Sequence, residues 1–232
     1  MNAGRRRLVI VNPNANARVT LWLADEARRV VGKTFEVVAV NARSGIEAIE
    51  TPEHLEVAAH AVASEVAKHG GASGAVVAGF GDPGLAAARA LGLIPVAGLG
   101  ESGMTAAALD GRRFSIVTLG AAMREPIHAK AASLDLASQL AEVLVLPFSI
   151  AEMVADRNVA RAEIVRAVSG CQDGAVLLGG APFAGMAADI AQETGRIVLD
   201  GVEACIGTVE HALGIRQCPT GDGAVSGAVR EY

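Results

Sequence analysis

The chain has 232 residues, 51% of them hydrophobic and 19% charged, with a formal charge of −5. That balance suits one large or two small compact domains with a sizeable core, and the 3% aromatic content leaves no stacking platform for single-stranded nucleic acid. The longest basic run, Arg5-Arg6-Arg7, is too short to track a phosphate backbone, and no stretch nears the roughly 18 apolar residues of a membrane span.

In chain order, Leu8-Val9-Ile10-Val11 is an apolar run that predicts a strand. The turn-forming Asn12-Pro13-Asn14-Ala15-Asn16 follows and leads into a helix over 19–31, where Trp22 serves packing. Phe35 to Val40 is a second strand. The segment 53–69 puts Leu55, Ala58, Ala59, Val62 and Val66 on one helical face. Ala75 to Ala78 is a third strand, 84–91 a helix and Ile94-Pro95-Val96 a fourth strand. The order restarts with a helix over 104–110 and a strand from Phe114 to Val117. Residues 124–128 read as a loop and 134–142 as a helix before a strand at Val143 to Val145. One helix is expected over 151–169, then a strand at 175–178, a helix at 187–193 and a strand at 197–199. Cys205 falls on a last helix, and the tail from Thr220, with Gly221, Gly223 and Gly227, reads as flexible.

Continuous apolar strands between helices point to parallel sheet covered on both faces. The two halves also echo each other. Val11-Asn12 answers to Val117-Thr118, Gly74-Ala75-Val76-Val77 to Gly174-Ala175-Val176-Leu177, and Val96 to Glu101 to Val198 to Glu203. Two similar α/β units related by a pseudo-two-fold explain this repetition. No low-complexity linker divides them.

Open parallel sheets bind ligands at the carboxyl ends of their strands. In a duplicated chain those ends face each other, so the candidate lining is Asn12, Asn14, Gly79 to Gly84, Thr118 and Gly179 to Gly185. Asn12 and Thr118 are candidate polar anchors, with capping and turn formation as the alternative. N–H groups at Gly79 to Gly81 and at Gly180 and Ala181 suit a carboxylate, although glycines also serve tight turns. Asp82 stands before Pro83 as an N-cap stands before a proline in the first helical position. Glu101 follows a strand and either reaches the cleft or supports the next helix start. Asp200 and Glu203 share that ambiguity. In the expected 124–128 loop, His128 is a candidate base and Arg124 a candidate anion ligand, each with a solvated role as the alternative. Three cysteines without metal-ligand spacing, Cys171, Cys205 and Cys218, suggest reduced thiols in a cytoplasmic protein and no metal site. Gly81-Asp82-Pro83-Gly84 lacks the spacing of a dinucleotide fingerprint and the lysine of a phosphate loop.

An ordered set of segments resembles hydantoin and allantoin racemases of the aspartate/glutamate racemase superfamily. They are Val11-Asn12-Pro13-Asn14, Phe80-Gly81-Asp82-Pro83-Gly84-Leu85 with Ala87 to Arg89, and Pro95-Val96-Ala97-Gly98 with Glu101. Phe114 to Thr118, Leu178-Gly179-Gly180 and Asp200-Gly201-Val202 complete the set. The likeness covers nearly the whole chain. It implies an α/β fold of two flavodoxin-like parallel-sheet domains, here 1–97 plus 207–232 and 98–206, with the ligand cleft between them. It implies no cofactor, and a small carboxylate or hydantoin-like ureide as ligand. A homo-oligomer is expected, with no nucleic-acid or membrane partner.

The resemblance also implies two cysteines on opposite sides of the substrate Cα. One thiolate removes a proton and the other thiol returns one, with donors for the enolate-like charge that develops. Those positions map to Gly79 and Gly180, which carry no proton. Phe80, Gly81, Gly179, Ala181 and Pro182 join Asn12, Asn14 and Thr118 as the expected substrate-binding set. Asp82, Glu101 and His128 are the candidate bases, since the three cysteines fall away from the expected site. The run Ala181 to Met186 is longer than the family's, which reshapes the pocket wall and speaks for natural divergence over deliberate removal of the thiols. The resulting expectation is a racemase or isomerase that transfers a proton without two cysteines. Lyase or hydrolase chemistry in the same pocket, and ligand binding without catalysis, are the alternatives.

Overall fold

The computed structural model describes residues 5–172 and 174–215; Cys218 and the tail from Thr220 lie outside them. Two four-stranded parallel sheets form the frame. The first is ordered β2 (Phe35–Asn41), β1 (Arg6–Asn12), β3 (Gly74–Val77), β4 (Val96–Gly98). The second is β6 (Leu140–Val145), β5 (Phe114–Thr118), β7 (Ala175–Gly179), β8 (Ile197–Leu199). The second order is the first advanced by four strands, so the echoing sequence segments occupy equivalent places. Strands β3, β5 and β7 are buried at every residue, which is why they read as unbroken apolar runs.

Helices cover both faces. Helix α1 (Ala17–Val31) turns Val19, Leu23, Ala27 and Val31 inward at a spacing of one turn. Its N-cap Asn16 accepts the N–H groups of Arg18 and Val19, and Gly32 at φ 53° ends it. Helix α2 (Pro52–Lys68) packs Val62 and Val66 on the other face of the first sheet, followed by the short α3 (Leu85–Ala90). Two helices then change sides. Helix α4 (Leu99–Ala107) leaves the first sheet but sets Met104 and Ala107 among Phe114, Ile116 and Leu177 of the second.

The second sheet is flanked by α5 (Arg124–Ser133), α6 (Ile150–Ala155), α7 (Arg157–Gly170) and α8 (Ala187–Thr194). Helix α9 (Val202–Ala212) then leaves it and places Val202, Cys205, Ile206 and Val209 among Leu8, Ile10 and Leu23 of the first half. Each half therefore completes its core with a helix from the other.

Four expected elements are corrected. The helix expected over 134–142 is absent, and the loop expected over 124–128 is the first turn and a half of α5. Pro126 sits where a helix needs no N–H from it. The helix closes before 134–142 because Asp135 takes φ 59° and Leu136 donates back to Ala131 O at 2.8 Å. The single helix expected over 151–169 is two, since Asp156 is extended and caps α7 through Asn158 N–H. The helix after β4 begins at Leu99 rather than at residue 104.

Asp200 follows β8 and accepts N–H groups from Gly185 at 2.7 Å and Val202 at 3.1 Å. Burial raises its carboxyl to about 6; the charge of Glu26 adds to the rise, while both N–H groups and Arg29 oppose it. A carboxyl raised by folding stabilises the fold in acid, and that contribution is lost as pH climbs through about 6. Urea unfolding of the wild type and Asp200→Asn checks this. The stability difference between them should fall, to the wild type's disadvantage, by about 2 kcal/mol between pH 4 and pH 7.

Candidate functional site

The carboxyl ends of the four central strands converge on one cavity of about 50 Å³. Pro13 and Asn14 follow β1, and Ala78 to Gly81 follow β3. Thr118 and Leu119 end β5, and Gly179 to Pro182 end β7. This floor is mostly backbone and short polar side chains. Ile49 before α2, Leu55 on α2, Met123 before α5 and Ile150 at the start of α6 close it from above. Such a volume holds a few waters, and a substituted ring needs more room than that. Two outer grooves are larger, about 300 Å³ each, but they lie along β6 and β4 away from the converging strand ends. Open parallel sheets bind at those ends, so the small cavity is the candidate site.

Local hydrogen bonds set the floor. Asn14 Oδ1 accepts from Asn12 Nδ2 at 3.0 Å and Asn16 N–H at 2.9 Å. The Asn16 donor fixes the amide's orientation, and Asn14 Nδ2 makes no hydrogen bond with the described residues. Thr118 Oγ1 donates to Gly179 O at 2.6 Å, which leaves its lone pairs to accept. The N–H groups of Phe80, Gly81 and Ala181 also make no hydrogen bond within the described residues. The cavity thus presents several donors and one hydroxyl acceptor.

The structure brings together Asn14, Gly79, Phe80, Gly81, Thr118, Gly179, Gly180, Ala181 and Pro182 of the expected set. Asn12 is fully buried below them and does not line the cavity. Its Nδ2 also donates to Thr20 Oγ1 at 2.9 Å and Asn16 O at 3.3 Å, and its Oδ1 accepts Asn14 N–H at 3.3 Å. It positions Asn14.

The candidate bases stand elsewhere. Asp82 does not cap the helix after Pro83, because Gly84 at φ 72° intervenes and α3 starts at Leu85. Asp82 itself takes φ 51°, a conformation that Asp tolerates. It caps α4 through Gly100 and Glu101 N–H at 2.8 Å each, and pairs with Lys130 at 3.0 Å. Burial raises its carboxyl, with Lys130 and the two N–H groups opposing. Glu101 does not reach the cleft; it pairs with Arg89 through contacts of 2.8 and 3.1 Å. His128 is exposed on α5, Arg124 donates to Val143 O, and Glu203 is exposed on α9.

Cys171 ends α7 and Cys205 lies inside the first core, both as free thiols. Burial raises both, with Glu142 adding at Cys171 and Asp82 at Cys205. Among the described residues no ionisable side chain lines the cavity, and no group of three His, Cys, Asp or Glu side chains is placed to hold a metal. Ile49, Leu55, Leu119, Met123 and Ile150 were not expected in the site. They are ordinary apolar residues, and only their places just past strand ends or at helix starts could have marked them.

These features define an α/β protein of two similar halves with its candidate site between them. The chain belongs to the Asp/Glu/hydantoin racemase family, whose model matches residues 8–209. The ordered motifs therefore pointed to the right family, and with it to the racemase and isomerase class of enzyme. The chain is 27% identical over 216 residues to the hydantoin racemase of Paenarthrobacter aurescens, covering 90% of this chain and 92% of that protein. Its structure is similar to that of the allantoin racemase from Klebsiella pneumoniae, with a TM-score of 0.83 and 30% identity over 96% of this chain and 97% of the other. The glutamate racemase isoform RacE1 from Bacillus anthracis shares the fold, with a TM-score of 0.64 and 18% identity over 90% of this chain and 83% of that one.

Gly79 and Gly180 differ in the space around them. A Cβ on Gly79 would stand 2.5 Å from Pro13 Cγ and 3.2 Å from Pro83 Cδ, both ring atoms. A Cβ on Gly180 would meet Phe183 at 3.4 Å, an ordinary contact, but its φ of 159° is one that residues with side chains rarely adopt. Gly79→Ala should therefore cost about 1–3 kcal/mol of overpacking, and Gly180→Ala about 1–3 kcal/mol of backbone strain. Urea unfolding of both variants checks the two costs.

Proposed function

We propose that the protein is a cofactor-independent racemase or isomerase that takes a small, neutral, hydantoin-like cyclic ureide into this cavity and exchanges the proton on its acidic carbon. One observation carries the choice of a ureide over a carboxylate: no charged side chain lines the cavity. Burying an anion without a cation is costly, whereas a ureide ring offers carbonyls and N–H groups that match the floor. Asn14 Nδ2 and the N–H groups of Phe80, Gly81 and Ala181 supply donors, and Thr118 Oγ1 accepts. The apolar side chains above suit a substituent on the ring.

Proton loss from the ring carbon pushes negative charge onto the neighbouring carbonyl oxygen. Fixed donors aimed at that oxygen stabilise the charge more than they stabilise the bound substrate. The relation to hydantoin and allantoin racemases supports carriers on opposite faces, at the positions of Gly79 and Gly180. Neither has a side chain, so in this proposal water at those faces takes and returns the proton. Thr118 Oγ1 is the side chain that can orient such a water.

Proton NMR in heavy water tests this with single-enantiomer hydantoins carrying small apolar substituents. The expected result is protein-dependent loss of the ring C–H signal together with loss of optical rotation, about tenfold slower in Thr118→Val as one orienting hydrogen bond is removed. Ligands that bind by thermal shift yet keep their C–H at the protein-free rate would make this a binding protein instead.

A further inference from the structure

The cavity is too small for a substituted ring, which raises the question of how it makes room for a ligand. Residues 42–51, between β2 and α2, form a strap that reaches from the first half to the second. Its near end is tied to the turn after β1. Ala42 N–H donates to Asn12 O at 2.7 Å, Ser44 Oγ to Pro13 O at 2.9 Å, and Ala15 N–H to Ile46 O at 2.7 Å. Its far end sits on the other half. Ala48 packs against the second core and Ile49 lines the cavity. Glu50 Oε1 accepts Ile150 N–H at 3.2 Å, across 100 residues of sequence. Ile150 is the first residue of α6 and lines the same cavity.

Glu50 is held in place for this role. Its own N–H donates to His54 Nδ1 at 3.3 Å. Its carbonyl oxygen lies 3.5 Å from where a Cβ on Gly120 would stand, so the strap runs close over the turn after β5. Two neighbouring amides are satisfied within the helix's own capping box, in which Ser149 N–H bonds Glu152 and Glu152 N–H bonds Ser149. Ile150 N–H is thus left for a partner from the other half. Away from the strap, Arg18 Nη1 donates to Val154 O at 2.7 Å. The Arg157 guanidinium stacks 4.2 Å from the centre of the Trp22 ring and donates to Ala184 O at 2.7 Å. Those contacts and the exchanged helices α4 and α9 keep the halves joined when the strap lets go.

We propose that Glu50 is a positioning residue that holds the strap on α6 and so keeps the cleft closed, and that ligand enters when this bond is released. The inference rests on the cavity being the ligand site, but not on which reaction occurs there. Closure fixes the spacing of Ile49 and Ile150, two side chains that line the cavity from opposite halves.

The test places a reporter thiol in the cavity with Gly180→Cys and follows its alkylation by iodoacetamide, peptide by peptide, in the full chain. Adding Glu50→Ala should speed labelling about tenfold, the effect of losing one charge-assisted hydrogen bond from a half-buried site. Adding Glu50→Gln, which keeps an acceptor oxygen, should stay within about twofold of the reporter alone. Hydrogen exchange on Glu50→Ala without the reporter should rise at 42–51 and at the Ile150 amide, with the β3 amides unchanged. In the proton-exchange assay Glu50→Ala should raise KM about tenfold and leave kcat within about twofold, because saturating ligand restores closure. Equal labelling of Glu50→Ala and the reporter alone, or equally fast labelling of Glu50→Gln and Glu50→Ala, would overturn the proposal. So would unchanged exchange at Ile150. If no hydantoin is turned over by the wild type, the racemase reading fails by itself, and the labelling and exchange rates still decide the role of Glu50.

Discussion

Gly98, Gly100 and Gly179 have no room for side chains, and the loop after β3 is the reason. A Cβ on Gly98 would stand 2.6 Å from Asp82 Oδ1, one on Gly100 would stand 2.1 Å from Phe80 O, and one on Gly179 would stand 2.8 Å from Phe80 Cε1. The loop from Gly79 to Asp82 is therefore pressed between the start of α4 and the end of β7. Asp82 locks it there by taking two α4 amides and Lys130 of α5. The carboxylate is fully buried, so removing it would leave both amides and an ammonium group without their partner. Because the loop is fixed, Phe80 and Gly81 line the cavity together with Gly179 and Gly180. The meeting of the two sheets, the shape of the cavity and the free N–H groups all depend on that wedge.

The exchanged helices reinforce the same line. Helix α4 carries the glycines that receive the wedge and anchors Met104 in the second core, while α9 returns to bury Cys205 and Ile206 in the first. The halves are thus joined behind the cleft through packed core, and in front of it through the strap and single hydrogen bonds. That asymmetry would let the cavity widen on one side. Cys205 belongs to the packed side, where burial raises its thiol.

Much of the fold was legible because the central strands are buried on both faces, so Leu8 to Val11, Ala75 to Val77 and Ala175 to Leu178 announce themselves without alternation. The duplication was legible for the same reason, since equivalent strands carry equivalent runs. The misreadings were local. Pro126 looks like a loop marker but lies in a first helical turn, and Asp135 ends a helix where glycine is the usual signal. The polar floor was legible from asparagine, threonine and glycine at strand ends. The apolar residues above it were not, because Ile49, Met123 and Ile150 reach the cavity only through the tertiary path of their loops. Asp82 was noticed as a cap, but the helix it caps lies 18 residues further along the chain. Sequence spacing alone does not express such a contact.

A ligand that binds between the halves, in the cavity without ionisable side chains, must touch Ile49 and Ile150. Isoleucine methyl NMR during a titration with a hydantoin carrying a small apolar substituent reads this contact. The Ile49 and Ile150 methyl signals should shift together and saturate, while Ile94 in the outer groove beside β4 and the exposed Ile197 on β8 stay in place. Saturable shifts at Ile94 or Ile197 with Ile49 and Ile150 unmoved would contradict it, and would put the ligand on an outer face of the sheets.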